Sequence, residues 1–193
     1  MTVAAIVASC SDNDNCNGTD NNQHLVTPAL EMSVNTTSGQ SPLTGILTVG
    51  PCETGSSIYY GNYVNDKLTP FDGYYKVKDG TIFDAPTNRV ISLPTGTYNM
   101  LYWGTPQYKE PIYAYPAVRE AALTIGGDLS QQALSLVKIS IDTIYYPVFD
   151  LVYAVQPAKI GTESLKASLS RTVAGLKVIV KDKDNGVLSS SID

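Results

Sequence analysis

Leu93-Pro94-Thr95-Gly96-Thr97-Tyr98-Asn99-Met100-Leu101-Tyr102-Trp103-Gly104 is the stretch on which the fold turns. Pro94 fixes its own φ and Gly96 tolerates positive φ, so the two make a turn. The aromatic and large apolar run behind them favours a pleated, half-buried surface. Side chains alternate along a strand, which predicts Tyr98, Met100 and Tyr102 on one face and Asn99, Leu101 and Trp103 on the other. The single tryptophan of the chain therefore falls in its best strand, in or beside the core.

Short extended segments flank this strand on both sides. Leu30 to Val34 alternates apolar and polar, and Leu43 to Val49 follows the turn Gly39-Gln40-Ser41-Pro42. Pro51-Cys52-Glu53-Thr54-Gly55 reads as a break before the extended run Ser57 to Val64. Asp72-Gly73 and Asp79-Gly80 bracket Tyr74 to Lys78, and Asp-Gly between alternating residues is a strong hairpin signal, so a meander is expected. Arg89 to Leu93 leads into the opening strand, and Thr105 to Pro111 reads as a loop. Ile112 to Tyr115 resumes an extended pattern that Pro116 confines to an edge.

The second half is less regular at first. Ala117 to Leu123 reads as two helical turns by propensity, or Ala121 to Ile125 as a strand before Gly126-Gly127. Val137, Ile139 and Ile141 then alternate with Lys138, Ser140 and Asp142. Val148 to Val155 is a further strand, bounded by Pro147 and Pro157. Leu176, Val178 and Val180 share one strand face before the turn Asp184-Asn185-Gly186. Many short strands punctuated by Gly and Pro, with no helical period, heptad or repeat, define an all-β class and predict an antiparallel β-sandwich.

Composition limits the function. The 193 residues suffice for one substantial sandwich, or one domain and part of another. A formal charge of -5, with no cluster of Lys and Arg, excludes a phosphate-binding surface and hence nucleic acid. Thirteen Tyr against three Phe suit a β-protein whose strands meet water, because the ring is apolar and the hydroxyl is not.

The N-terminus carries the clearest address. Val3 to Ala8 is apolar and ends in Ser9-Cys10, the form of a secretory h-region and cleavage site, and Val7-Ala8-Ser9-Cys10 resembles a bacterial lipobox. That resemblance makes Cys10 the lipidated residue. The plainer alternative is a short buried strand ending at a free thiol. The run is too short to span a bilayer, which takes about 20 apolar residues. Residues 11 to 23 are almost wholly polar and small, the composition of a tether. Cys16 and Cys52 are left as one disulfide or as two free thiols. The expected organisation is a signal remnant over 1–9, a tether over 10–26, an N-terminal sandwich over 27–170, and a final strand or the start of a second sandwich over 171–193.

No residue set points to catalysis. His24 lies in the tether, and there is no Cys-x-x-Cys, His-x-x-x-His, phosphate loop or nucleophile elbow. Glu31, Glu53, Asp66, Asp72, Glu110 and Glu120 are scattered, with nothing to bring two together. No enzyme, metal site or cofactor is expected. Tyr59, Tyr60, Tyr63, Tyr74 and Tyr75 form a candidate contact surface for carbohydrate or protein, although strand alternation turns about half of them inward. Asp142-Thr143-Ile144 is similar to an O-glycosylation sequence of exported bacterial proteins, and equally reads as a strand end.

Three features together resemble the FimB-like anchoring subunits of type V fimbriae in Bacteroidales: the lipobox at Val7 to Cys10, the strand Leu93 to Gly104, and the junction Leu169-Ser170-Arg171-Thr172-Val173-Ala174-Gly175-Leu176-Lys177-Val178. The resemblance implies an N-terminal transthyretin-like sandwich, with the Arg-containing junction leading into a second one beyond Asp193. It also implies a lipoprotein exposed on the outer membrane that holds a fimbrial subunit by β-strand addition. Stalk subunits of such fimbriae are cut after an N-terminal Arg or Lys, which removes a strand. Here the first Arg or Lys is Lys67. The lipid is then retained, which favours an anchor, base or accessory subunit; a glycan-binding lipoprotein and a tip adhesin are the alternatives. An open strand edge is expected near residues 173 to 180.

Overall fold

The computed structural model describes residues 24–35, 42–106, 118–119, 122–132, 135–138 and 151–172. The first strands are β1 (Leu25–Val26), β2 (Leu30–Asn35) and β3 (Gly45–Cys52). There follow β4 (Asn62–Val64), β5 (Lys67–Thr69), β6 (Gly73–Lys78), β7 (Thr81–Asp84) and β8 (Leu93–Pro94). The rest are β9 (Gly96–Pro106), β10 (Val118–Arg119), β11 (Ser135–Leu136), β12 (Val152–Ile160) and β13 (Leu165–Arg171). Short 3₁₀ turns lie at Thr87–Arg89 and Leu129–Gln131. The fold is all-β, as its sequence predicts.

Seven strands form one sheet in the order β2-β13-β12-β9-β3-β6-β7. The eleven residues of β9 stand at its centre, paired antiparallel with β3 on one side and β12 on the other. The sheet curls until its two outermost strands, β2 and β7, approach each other. Tyr98, Met100 and Tyr102 face the interior of the curl, where they meet Leu47, Val77, Leu93, Val152 and Leu169. Leu101 and Trp103 face outward into a second cluster with Cys52, Tyr59 and Leu129. The alternation read from the opening stretch is thus the partition of the two cores.

Turn chemistry sets two hairpins. Asp79 and Gly80 both have positive φ, and they join β6 to β7 as an Asp-Gly turn should. Asn65 and Asp66 do the same between β4 and β5, inside the run Ser57 to Val64 and the residues after it, where the sequence suggests a longer strand. Asp72-Gly73 is not a turn. Asp72 is buried against Arg89, and Gly73 begins β6 where a Cβ would stand 2.8 Å from Ile91.

Several boundaries move for identifiable reasons. β3 runs on through Pro51 and Cys52, because its pairing with β6 ends at Val49 while that with β9 continues to Cys52. Pro51 therefore owes no N–H to β6. The chain then folds back so that Tyr59 bridges Cys52, and Ile58 in turn bridges Asp128. Leu25 and Val26, assigned by composition to the tether, form β1 and pair with Leu93 and Pro94. Val118–Arg119 is a strand paired with Ser135–Leu136, so extended pairing overrides helical propensity there. One pair departs from the antiparallel expectation, since β2 lies parallel to β13. Cys10, Cys16, Ile112 to Tyr115, Asp142 to Ile144 and the edge expected near 173 to 180 lie outside the described residues.

Candidate functional site

The tyrosines expected to share a contact surface separate. Tyr59 and Tyr75 are buried, Tyr75 accepting the Ile91 main-chain N–H at 2.9 Å. Tyr60 packs edge-on against Tyr98 with ring centroids 5.2 Å apart and leans on the inner core. Tyr63 and Tyr74 are half-exposed. The guanidinium of Arg89 lies 5.4 Å from the Tyr74 ring centroid and 5.7 Å from that of Phe71, while it pairs with the Asp72 carboxylate and donates to its main-chain oxygen. Burial of Asp72 is thereby compensated by charge and hydrogen bonds, a structural use of both residues.

The scattered carboxylates stay apart. Glu31 accepts from Ser164 Oγ at 3.3 Å, Glu53 is exposed beside a turn, and Asp66 forms the β4–β5 turn. His24 is exposed, and Glu110 and Glu120 lie outside the described residues. Among the described residues no group of His, Cys, Asp or Glu could hold a metal, and no helix is long and apolar enough to cross a membrane. Cys52 is a free, buried thiol whose titration burial pushes up from 9.0 to about 11.

The accessible chemistry is in the main chain. β2 offers one free edge: it pairs with β13 alone among the described strands. Leu165 donates to Ala29 at 2.8 Å. By alternation, the main-chain groups of Leu30, Met32 and Val34 therefore turn away from β13. Their side chains lie in the inner row and are only partly buried. Six residues without proline or bulge make this a competent edge for another strand. β7 is shorter at four residues, and its pairing with β6 is interrupted by a register shift beside the Lys76–Asp84 ion pair.

The second opening is inside the sheet. β12 and β13 pair only at Val152 and Tyr153 with Arg171 and Ser170. Thr172 donates to Leu151 at 2.8 Å, so alternation turns Tyr153, Val155, Pro157 and Lys159 toward β13. Pro157 lacks the N–H that this ladder would require, and the strands part. Gln156 reaches across the gap, accepting the Ser168 N–H at 3.2 Å and donating to the Ser168 oxygen at 3.4 Å. Its carboxamide stands in for the missing peptide. Beyond it the strands enclose a cavity of about 450 Å³. Pro157, expected just past the end of a strand, instead forks the sheet while β12 continues along β9 to Ile160.

What these residues present to a partner is backbone edge and cleft. The chain belongs to the fimbrillin-A associated anchor proteins Mfa1 and Mfa2, whose family profile matches residues 16–193. It is thus of a fimbrial anchor or accessory family, associated with fimbrial subunits at the cell surface. A search of curated proteins and a search of solved structures each return no significant match.

Proposed function

We propose that this protein is an outer-membrane lipoprotein, lipidated at Cys10, that serves as anchor, base or accessory subunit of a surface fimbrium and holds its neighbour by strand addition at the free edge of β2. One observation carries the reading. β1 and β2 both precede Lys67, the first Arg or Lys, and both are built into the fold, through Leu25 and Val26 on β8 and Leu30 to Asn35 on β13. A maturation protease that needs Arg or Lys has no site in residues 1 to 66, so it could not remove them without also cutting away β3 and β4. The lipid then stays joined to the domain through residues 11 to 23, and the parallel pairing of β2 leaves its other edge to a neighbour. Main-chain hydrogen bonds would supply affinity, and pockets for alternate side chains specificity.

Deleting the gene tests the anchor role. Fimbriae shed into the medium at normal or greater length are expected; fimbriae that stay cell-bound at normal length would overturn it. Cys10→Ala tests the lipid separately. It should abolish labelling of the protein by radioactive palmitate and release it from the membrane fraction, while labelling that persists would sink the assignment.

A further inference from the structure

The cavity in the β12–β13 fork is lined by side chains from both faces of the sheet. Tyr102, 1 % exposed, lines it from the inner row of β9. Lys159 and Lys166, both exposed, supply two ammonium groups from opposite sides of the fork. Glu163 and Ser164 line it from the connection between the two strands. Continuing the register of Tyr153 with Ser170 would set Pro157 opposite Lys166 and Lys159 opposite Ser164. No such ladder forms. The Pro157 oxygen and the main-chain groups of Lys159 and Lys166 that face the fork therefore have no strand partner there.

We propose that this cavity binds a small hydroxylated carboxylate, the chemistry that an acidic sugar residue presents. The lining carries two ammonium groups and one carboxylate, so a single negative charge is the complement. Charge-assisted bonds from lysine to a carboxylate are the strongest contacts on offer. Unpaired main-chain donors and acceptors, with the Tyr102 hydroxyl and Glu163, answer to hydroxyl groups that both give and accept hydrogen bonds. The Pro157 ring and the Tyr102 ring supply apolar wall, as in pockets of this size generally. A fatty acid would leave those polar groups unpaired at a cost, and one carboxylate among two lysines is no cation site. The site is separate from the edge of β2 and does not depend on the anchor reading.

Titrating the full-length protein with D-glucuronate, followed by calorimetry and saturation-transfer NMR, tests the proposal. Glucuronate is expected to bind, more weakly as salt rises, and methyl glucoside, which has no charge, is not. Replacing both Lys159→Ala and Lys166→Ala should weaken binding by about tenfold or more, the factor that about 1.4 kcal/mol represents. Tyr102→Phe should weaken it several-fold while the ring still fills its place, and Lys78→Ala, on the remote strand β6, should leave it unchanged. Melting temperatures identify any variant that fails to fold. No binding of glucuronate, equal binding of methyl glucoside, or undiminished binding by the folded double-lysine variant would overturn the assignment.

Discussion

The Asn62 carboxamide accepts the Ser92 main-chain N–H at 2.7 Å and donates to the Val90 oxygen at 2.9 Å, and Asn62 is fully buried. This side chain ties the β4–β5 hairpin to the segment that delivers Ile91 and Leu93 into the inner core. Asn62→Ala strands both main-chain groups, each worth roughly 1–3 kcal/mol when buried and unsatisfied. Urea unfolding should show a loss of stability of about 2–3 kcal/mol with little change in slope. Asn62→Asp should be worst at neutral pH. Burial raises that carboxyl's pKa, and only its protonated form can donate to Val90, so its stability is lost as pH rises through that pKa.

Gly104 extends the inner row of β9 beyond Tyr102, between Leu47 on β3 and Val152 on β12. A Cβ there would stand 2.7 Å from Leu43 Cδ2 and collide with Val152 Cγ2. Both neighbours are 0 % exposed and have nowhere to go. Gly104→Ala should destabilise the protein by roughly 1–3 kcal/mol through overpacking. Combined with Leu43→Ala, which vacates part of that space, it should cost less than the two changes add up to; a purely additive double variant, measured by chemical unfolding, would contradict the packing account.

Where local chemistry dominates, the sequence was a sufficient guide. The alternation of Tyr98 to Trp103 needed only the period of a strand, and Asp79-Gly80 only the backbone freedom of a two-residue turn. The boundaries that moved depend on partners distant in the chain. Pro51 and Pro157 sit inside strands because neither owes an N–H to a neighbouring strand of the large sheet. Pro51 lies past the end of the pairing with β6 and faces the fold-back at Tyr60, Pro157 faces the fork, and neither fact is visible in the local pattern. Tyr59 and Tyr75 look like surface tyrosines until the fold-back from Cys52 and the segment Ile91 to Leu93 cover them. The fork itself carries one local sign, a Gln beside a Pro in an apolar run, which acquires meaning only when Ser168 is placed across from it.

Burial raises the pKa of the Tyr59, Tyr75 and Tyr102 hydroxyls, with the Ile91 N–H partly offsetting the effect at Tyr75. In the unfolded chain these groups ionise near pH ~10. Above that pH the unfolded state sheds protons that the folded state keeps, so the contribution of these three groups is intact below about pH 10 and falls as pH rises, by about 1.4 kcal/mol per unit for each group in that window. Urea midpoints measured from pH 8 to 11.5 should therefore decline steeply above about pH 10. Tyr102→Phe removes one contributor and should make the decline shallower; an unchanged slope would exclude Tyr102 from it.

Cys52 is 1 % exposed, contacts the Gly50 oxygen through Sγ at 3.7 Å, and titrates at about 11, raised chiefly by burial and then by Asp128 and Glu53. A thiol of that kind is neither accessible nor ionised at neutral pH. In a Cys10→Ser, Cys16→Ser background, a chromogenic disulfide reagent at pH 8 should titrate no thiol in the folded protein and one after denaturation. Rapid reaction of the folded form would show that the outer cluster opens readily.

Gln156 and Pro157 act as a pair, and a double-mutant cycle can show it. Gln156→Ala leaves the Ser168 N–H and oxygen without their partner across the fork and should cost roughly 1–2 kcal/mol, because the site is partly wet. Pro157→Val restores the donor directed at β13 and allows the ladder to extend beyond Tyr153 and Ser170. It also gives the unfolded chain more freedom, a cost of about 0.4–1 kcal/mol that offsets part of the gain. In the valine background the strands can close on one another, Ser168 finds main-chain partners, and Gln156→Ala should cost little. The coupling energy is therefore expected to be of the order of 1 kcal/mol, above the roughly 0.3–0.5 kcal/mol within which independent sites add. Hydrogen exchange at Ser168 and Lys166 should slow in Pro157→Val as those amides enter the ladder. Additive energies together with unchanged exchange would mean that something other than the proline holds the fork open.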